Sequence, residues 1–73
     1  MDTLNTKNFI IEVDINNGTG WFEHTRLGDN CGGGLWFDSY TLSDYDGVYE
    51  LPKEVADGII KMGFNIGDMY PDL

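Results

Sequence analysis

Hydrophobic and polar side chains alternate along the segment that starts at Phe9. A period of two sends successive side chains to opposite faces of an extended chain, so the pattern predicts a half-buried strand. The residues before it, 1–8, are largely polar and are expected to form an irregular, flexible leader. Residues 16–20 (NNGTG) are typical of a turn. One face of the predicted strand carries Phe9, Ile11, Val13 and Ile15.

Two more strands are predicted, over residues 21–27 and from residue 35 to about residue 40, on either side of a glycine-rich segment. That segment, residues 28–34 (GDNCGGG), contains too many glycines to favour regular structure. We therefore expect the two strands to form a hairpin with the glycine-rich segment as its flexible tip.

The register of this hairpin determines which side chains share a face. If the tip is symmetric about Cys31, Leu27 lies opposite Leu35. One face then holds three pairs: Arg26 with Trp36, His24 with Asp38, and Phe22 with Tyr40. The other face is the predicted core side, because it carries Trp21, Leu27, Leu35 and Phe37 with only Glu23, Thr25 and Ser39 as polar members.

A helix is predicted to begin at Pro52 and to end before Gly63, because proline is favoured at the first helical position and glycine in a left-handed cap. Gly58 costs about 1 kcal/mol relative to alanine, which suggests either close packing at that point or a marginal helix. Residues 44–47 (DYDG) are typical of a turn, and residues 64–66 are a candidate edge strand. The predicted buried side of the helix carries Val55, Ala56, Ile59, Ile60 and Met62.

The predicted fold class is α+β: a small antiparallel sheet of three to four strands with one helix packed on one face. Residues 9–73 form a single domain behind the leader. One helix covers one side of a sheet, whereas the aromatic pairs at residues 21–22 and 36–37 must each send one ring to either side. An uncovered aromatic patch usually marks an interface or a self-association surface. The patch predicted from the register consists of Phe22, Trp36 and Tyr40, with Ile10 as a further candidate.

Charge restricts the partners of the chain. Thirteen acidic residues against four lysines and arginines give a formal charge of −9 in 73 residues. This excess disfavours binding to nucleic-acid phosphates or anionic membranes and favours a positively charged partner. The single cysteine excludes an internal disulfide, no signal peptide is recognised, and the apolar stretches are too short to span a bilayer. We therefore expect a cytoplasmic protein.

Enzymatic chemistry has little support in the sequence. Cys31 and His24 are the only thiol and imidazole, and the acidic and glycine-rich surroundings of the cysteine disfavour a nucleophilic thiolate. The glycine-rich segment lacks the lysine and the serine or threonine of a P-loop. Asp44, Asp46 and Glu50 are oxygen ligands that suit calcium, but their spacing departs from that of an EF-hand loop. We expect no enzyme activity, no cofactor and no metal site.

The acidic residues are concentrated between residues 38 and 57, where Lys53 is the one basic residue. Alternate residues of a strand lie about 6.6 Å apart, close to the spacing of successive phosphates along a nucleic-acid strand. Glu12 and Asp14, or a row across neighbouring strands, could therefore imitate a phosphate backbone. Acidity that serves solubility alone is the alternative. The concentrated acidic residues are Asp38, Asp44, Asp46, Glu50, Glu54 and Asp57.

Four runs are spread between residues 20 and 55: residues 20–24 (GWFEH), 32–37 (GGGLWF), 44–48 (DYDGV) and 51–55 (LPKEV). Together they resemble the small acidic proteins that phages and other mobile elements encode against host defence systems. That resemblance implies anti-CRISPR or anti-restriction proteins, which occupy a basic nucleic-acid-binding surface or bind a defence protein. It supplies no catalytic or binding motif, so no residue role follows from it.

The sequence thus predicts a non-enzymatic inhibitor that binds a basic surface of a host defence protein and blocks its nucleic-acid binding or assembly. The alternative is a homodimeric accessory or structural module. In the first hypothesis carboxylates supply charge and aromatic rings supply desolvated anchors. The predicted partner-binding residues are Asp38, Asp44, Asp46, Glu50, Glu54, Phe22, Trp36 and Tyr40.

Overall fold

The computed structural model describes residues 1–47 and 50–67. Within these residues the chain forms five strands and one helix, and each strand pairs antiparallel with the next in a single sheet of order β1-β2-β3-β4-β5. The α+β class is confirmed, whereas the prediction of three to four strands is wrong because the sheet has five. The elements are β1 (Asp2–Asn5), β2 (Phe9–Asp14), β3 (Thr19–His24), β4 (Gly28–Asp38), β5 (Thr41–Gly47) and α1 (Lys53–Lys61).

The additional strand comes from the segment that was expected to be irregular. β1 pairs with β2, and Leu4 lies opposite Ile11. The half-buried strand predicted from Phe9 onward is confirmed as β2, in which buried and half-buried residues alternate. The turn predicted at residues 44–47 is absent, because these residues continue β5. Of the segment expected to follow that turn, residues 48 and 49 lie outside the described residues.

The glycine-rich segment is a strand rather than a hairpin tip. It forms the first part of β4, where Gly32, Gly33 and Gly34 lie opposite Glu23, Phe22 and Trp21. A Cβ atom on Gly32 would lie 2.5 Å from the carbonyl oxygen of Phe22, so glycine is required for the two backbones to approach this closely.

The turn between β3 and β4 lies at residues 25–27 instead. His24 stabilises it, because its Nδ1 atom accepts hydrogen bonds from the backbone N–H groups of Arg26 at 3.1 Å and Leu27 at 3.3 Å. The His24 ring lies edge-on to Phe9, with 5.1 Å between the ring centroids. The predicted pairing of His24 with Asp38 is therefore wrong.

The observed register corrects the predicted faces of the hairpin. Phe22 is 3% exposed and belongs to the helix-covered side, so its predicted place in the uncovered patch is wrong. Trp21 is 38% exposed and Leu27 55% exposed, so their predicted place in the core is also wrong. The core positions predicted for Leu35 and Phe37 are confirmed.

Helix α1 begins at Lys53, one residue later than predicted, because Pro52 is the N-cap and has an extended conformation. The predicted C-terminal end is confirmed, since Gly63, with a φ of 99°, follows the C-cap Met62. Val55, Ala56, Gly58 and Ile59 are its buried residues, whereas Ile60 is exposed. Residues 64–66 then run along the start of β5 and contribute one parallel bridge, Thr41 with Asn65, in place of a full edge strand.

The core fills the space between the sheet and α1. Gly58 brings the helix against β2, because a Cβ atom on this residue would lie 2.6 Å from Cδ1 of Ile11. Close packing is therefore the reason for a glycine inside the helix. The buried apolar residues are Phe9, Ile11, Val13, Phe22, Leu35, Phe37, Leu42, Leu51, Val55, Ala56, Ile59, Phe64 and Ile66.

A pair of substitutions tests this packing. Gly58→Ala improves helix propensity by about 1 kcal/mol, but its methyl group must displace the fully buried Ile11, and overpacking costs about 1–3 kcal/mol. We expect a lower free energy of unfolding in urea, by up to about 2 kcal/mol. Ile11→Val removes the obstructing Cδ1 atom and is expected to cost about 1 kcal/mol alone.

The double variant is the decisive measurement. The alanine methyl group then occupies the space that Cδ1 leaves, so the combined loss is expected to be smaller than the sum of the single losses by about 1 kcal/mol. Additive losses would show that Gly58 and Ile11 do not compete for the same space.

Candidate functional site

Within residues 1–47 and 50–67, one face of the sheet has no helix on it. We call this the open face, and its strand positions follow from alternation and from the observed register. On this face, adjacent strands carry aromatic, acidic and glycine residues and no lysine or arginine. The open face consists of Thr3, Asn5, Ile10, Glu12, Asp14, Thr19, Trp21, Glu23, Gly32, Gly34, Trp36, Asp44 and Asp46.

Two tryptophans occupy the middle of the open face. Trp21 lies opposite Gly34, and a Cβ atom on Gly34 would lie 3.0 Å from Cη2 of Trp36. The missing side chain at position 34 thus lets the Trp36 ring lie over the strand beside Trp21. Trp21 is 38% and Trp36 42% exposed, so the sheet presents indole surface to solvent.

Carboxylates flank the tryptophans in two columns. Glu12 and Asp14 belong to β2, and Asp44 and Asp46 belong to β5. Because β3 and β4 lie between them, the columns are separated by three interstrand spacings, about 14 Å. Within a column the two residues are about 6.6 Å apart along the strand. Trp21 lies directly opposite Glu12, and Trp36 lies directly opposite Asp44, so each tryptophan has an acidic neighbour on one adjacent strand.

The basic residues all lie elsewhere. Lys7 and Arg26 lie in turns, and Lys53 and Lys61 lie on the helix. The negative charge of the open face is therefore not neutralised by a basic residue on the same face. A surface of this kind attracts cations and repels phosphates.

A cleft of about 430 Å³ lies between β3 and β4. Its lining consists of Trp21, Phe22, Glu23, Gly32 and Gly33. Trp21 and Glu23 alternate with the buried Phe22 along β3, so both side chains belong to the open face. The cleft thus combines an aromatic ring, a carboxylate and a floor formed partly by glycine backbone.

The structure brings three of the predicted partner-binding residues together. Trp36 lies opposite Asp44, and Asp46 lies two residues further along β5, opposite Gly34. Asp38 is exposed at the end of β4, and Glu50 is exposed just beyond the two undescribed residues. Tyr40 lies in the turn between β4 and β5, where its ring stacks on Phe64 with the ring centroids 6.2 Å apart.

Two other predicted residues have structural roles. The Phe22 ring is in the core, so it is not presented to a partner. Glu54 lies on α1, where its carboxylate accepts hydrogen bonds from the hydroxyl group of Thr6, the backbone N–H of Asn8 at 2.8 Å and the side-chain amide of Asn8 at 3.0 Å. These bonds tie the turn between β1 and β2 to the first turn of the helix.

The hydrogen bonds to Glu54 stabilise its charged form. The Thr6 hydroxyl group, followed by the side chain and backbone of Asn8, lowers the pKa of the Glu54 carboxyl group below its ordinary value of 4.5, against a smaller opposing effect of desolvation. A carboxylate used in this way belongs to the fold rather than to the candidate site.

Trp21 and Glu23 were missed because the predicted register placed them on the core side. A signal for Trp21 was present in the sequence: adjacent Trp21 and Phe22 must face opposite sides, and tryptophan is fully buried less often than phenylalanine. The open-face positions of Glu12 and Asp14 on β2 followed from the alternation that predicted that strand.

The described residues contain no group of three or more histidine, cysteine or acidic side chains placed to hold a metal ion. Cys31 is partly buried and packs against the core. In residues 1–47 and 50–67 no helix has the length and hydrophobicity needed to cross a membrane. The open face is thus the most distinctive surface of the described part of the chain.

No protein-family model, curated protein or solved structure matches this chain. The resemblance to phage and mobile-element proteins therefore stays a prediction. The functional argument depends on the residues of the open face.

Glu54 gives a test of which carboxylates serve the fold. Since the folded state lowers the pKa of Glu54, its contribution to stability is complete above the ordinary value of 4.5 and is lost as the pH falls through the lower folded value. We expect Glu54→Gln to be less stable than the wild type at pH 7, with a difference that shrinks as the pH falls below 4.5. Thermal unfolding followed by circular dichroism across this pH range measures the difference.

Asp57→Asn is the matched control, because Asp57 is an exposed acidic residue on the same helix. Asp57→Asn should change the thermal stability little, both at pH 7 and below pH 4.5. A Glu54→Gln variant as stable as the wild type at pH 7 would contradict the structural role of this carboxylate.

Proposed function

We propose that this chain is a non-enzymatic inhibitor whose open face binds a basic, nucleic-acid-binding surface of a host defence protein. The observation that carries the proposal is the pair of exposed tryptophans between two columns of carboxylates, on a face without lysine or arginine. Binding there blocks access of nucleic acid, or of an assembly partner, to the target.

The two kinds of side chain have different roles in this mechanism. Trp21 and Trp36 are large rings that gain free energy when a partner removes them from water, and tryptophan is enriched among residues that dominate binding. The carboxylates at the edges steer a positively charged target towards the face and penalise acidic competitors. Affinity therefore depends mainly on the rings, and association rate on the charges.

The central tryptophans favour a protein partner over simple imitation of nucleic acid. A nucleic-acid backbone presents phosphates and has nothing equivalent to an exposed indole ring. Protein interfaces, by contrast, commonly have an aromatic centre and a polar rim. The carboxylate columns still suit a target whose basic groups are arranged to hold phosphates, because alternate strand residues match phosphate spacing approximately. The resemblance to anti-defence proteins of phages and mobile elements supplies the biological setting.

A homodimer formed through the same face is less favourable. Two copies placed face to face would bring acidic residues from both chains into one interface, and like charges in contact cost several kcal/mol. The charge of −9 makes this repulsion more important than in a neutral domain. The homodimeric module thus remains the second hypothesis, with sedimentation velocity as its direct measurement.

Capture from bacterial lysate tests the proposed function. We expect the immobilised chain to retain a basic nucleic-acid-binding protein at low salt and to release it as salt rises, because exposed charges are screened. With the purified target, Trp36→Ala is expected to raise Kd by about 30-fold, corresponding to a loss of about 2 kcal/mol. The pair Asp44→Asn and Asp46→Asn should slow association by about tenfold.

The control is Ile60→Ala, which removes an exposed apolar side chain from the helix. It should leave both Kd and the association rate unchanged. Adding the chain should also displace labelled nucleic acid from the target in a gel-shift assay. Salt-independent binding, or a target that keeps its nucleic acid at saturation, would overturn the proposed mechanism.

A further inference from the structure

The cleft beside Trp21 has a shape that glycine imposes. Gly32 cannot carry a side chain, since its Cβ atom would lie 2.5 Å from the carbonyl oxygen of Phe22 and 3.0 Å from the Cα atom of Glu23. That part of the floor therefore stays bare backbone. At the next open-face position of β4, Gly34, the Trp36 ring occupies the space above the strand.

The cleft is large enough to admit a long side chain. Its volume of about 430 Å³ lies within the range of about 300–1,000 Å³ that is usual for small-ligand sites. A flat floor without side chains accommodates an extended aliphatic stem. A partner strand or loop can therefore insert a single residue without rearrangement of the sheet.

The chemistry of the cleft selects a cation. Trp21 offers an indole face, and Glu23 lies two residues along the same strand, about 6.6 Å away. Across the sheet, Glu23 lies between Ile10 and Gly32, and the described residues give its carboxylate no hydrogen-bond or ion-pair partner. An apolar occupant would desolvate this carboxylate without compensation, and an anion would be repelled.

We propose that this cleft is a subsite for an arginine side chain of the basic partner, a proposal that rests on the proposed function. Arginine matches both groups at once, because its planar guanidinium stacks on an aromatic ring and pairs with a carboxylate through two hydrogen bonds. Its aliphatic stem packs along the glycine floor. Lysine supplies the positive charge but lacks the planar group that stacks on an aromatic ring and forms two hydrogen bonds to a carboxylate.

Two peptides of equal charge test the subsite on the intact chain. The probes are nine-residue glycine–serine peptides that carry either three arginines or three lysines. We expect the arginine peptide to bind about tenfold more tightly in a tryptophan-fluorescence titration, which reflects the additional stacking and pairing. It should also shift the backbone amide signals of Gly32 and Gly33 in NMR spectra more than the lysine peptide does.

Glu23→Gln and Trp21→Leu should each reduce the arginine preference to about twofold or less. Asp46→Asn is the matched control, because it removes the same charge from the open face at a position outside the cleft. It should weaken both peptides equally and keep their ratio. Circular dichroism confirms that each variant is folded, and Glu23→Gln, which conserves side-chain shape, decides the result if Trp21→Leu unfolds.

Equal affinity for the two peptides, or a preference that survives Glu23→Gln, would overturn the arginine subsite. If both peptides bind the open face equally and release with salt, the subsite fails and the proposed function stands. If neither peptide perturbs the open face, both fail. If the arginine preference is present but no nucleic-acid-binding target is displaced from nucleic acid, the proposed function fails and the subsite stands.

Discussion

The carbonyl oxygen of Phe22 lies where a side chain at position 32 would begin, so β3 and β4 can pair here only because that residue is glycine. This close approach occurs in the observed register of β3 and β4. Through that register Phe22 enters the core while Trp21 and Trp36 remain outside. A slip of β4 by one residue against β3 would turn β4 over and exchange the faces of Leu35 and Trp36. The open face therefore depends on a backbone contact at the centre of the sheet.

The helix side imposes a matching requirement. Gly58 lets α1 approach Ile11 on β2, and Glu54 ties the same helix to the turn that follows β1. Both contacts hold the helix over one face. The small size of the domain leaves no second helix in the described residues to cover the other face. The packing of α1 therefore covers one face of the sheet and leaves the other face exposed.

Elements with regular hydrophobic periodicity or clear end signals could be predicted from the sequence. Strand β2 and helix α1 are such elements. The alternation from Phe9 onward is a direct consequence of strand geometry, and Pro52 and Gly63 mark helix ends by backbone preference. The glycine-rich segment could not be assigned in the same way. Glycine favours loops by its conformational freedom but also permits close strand pairing, and only the position of the facing backbone distinguishes the two.

That ambiguity explains which part of the candidate site could be predicted. Asp44, Asp46 and Trp36 were proposed from charge and aromatic spacing, and the structure gathers them although the expected turn at residues 44–47 is a strand. Trp21 and Glu23 required the register, which depends on atoms far apart in the sequence. The close approach of Gly32 to Phe22, which could not be predicted from the sequence, also forms the floor of the cleft beside Trp21 and Glu23. Because Gly32 both permits the close pairing of β3 and β4 and keeps this floor bare, the fold and the proposed binding surface have a common physical origin.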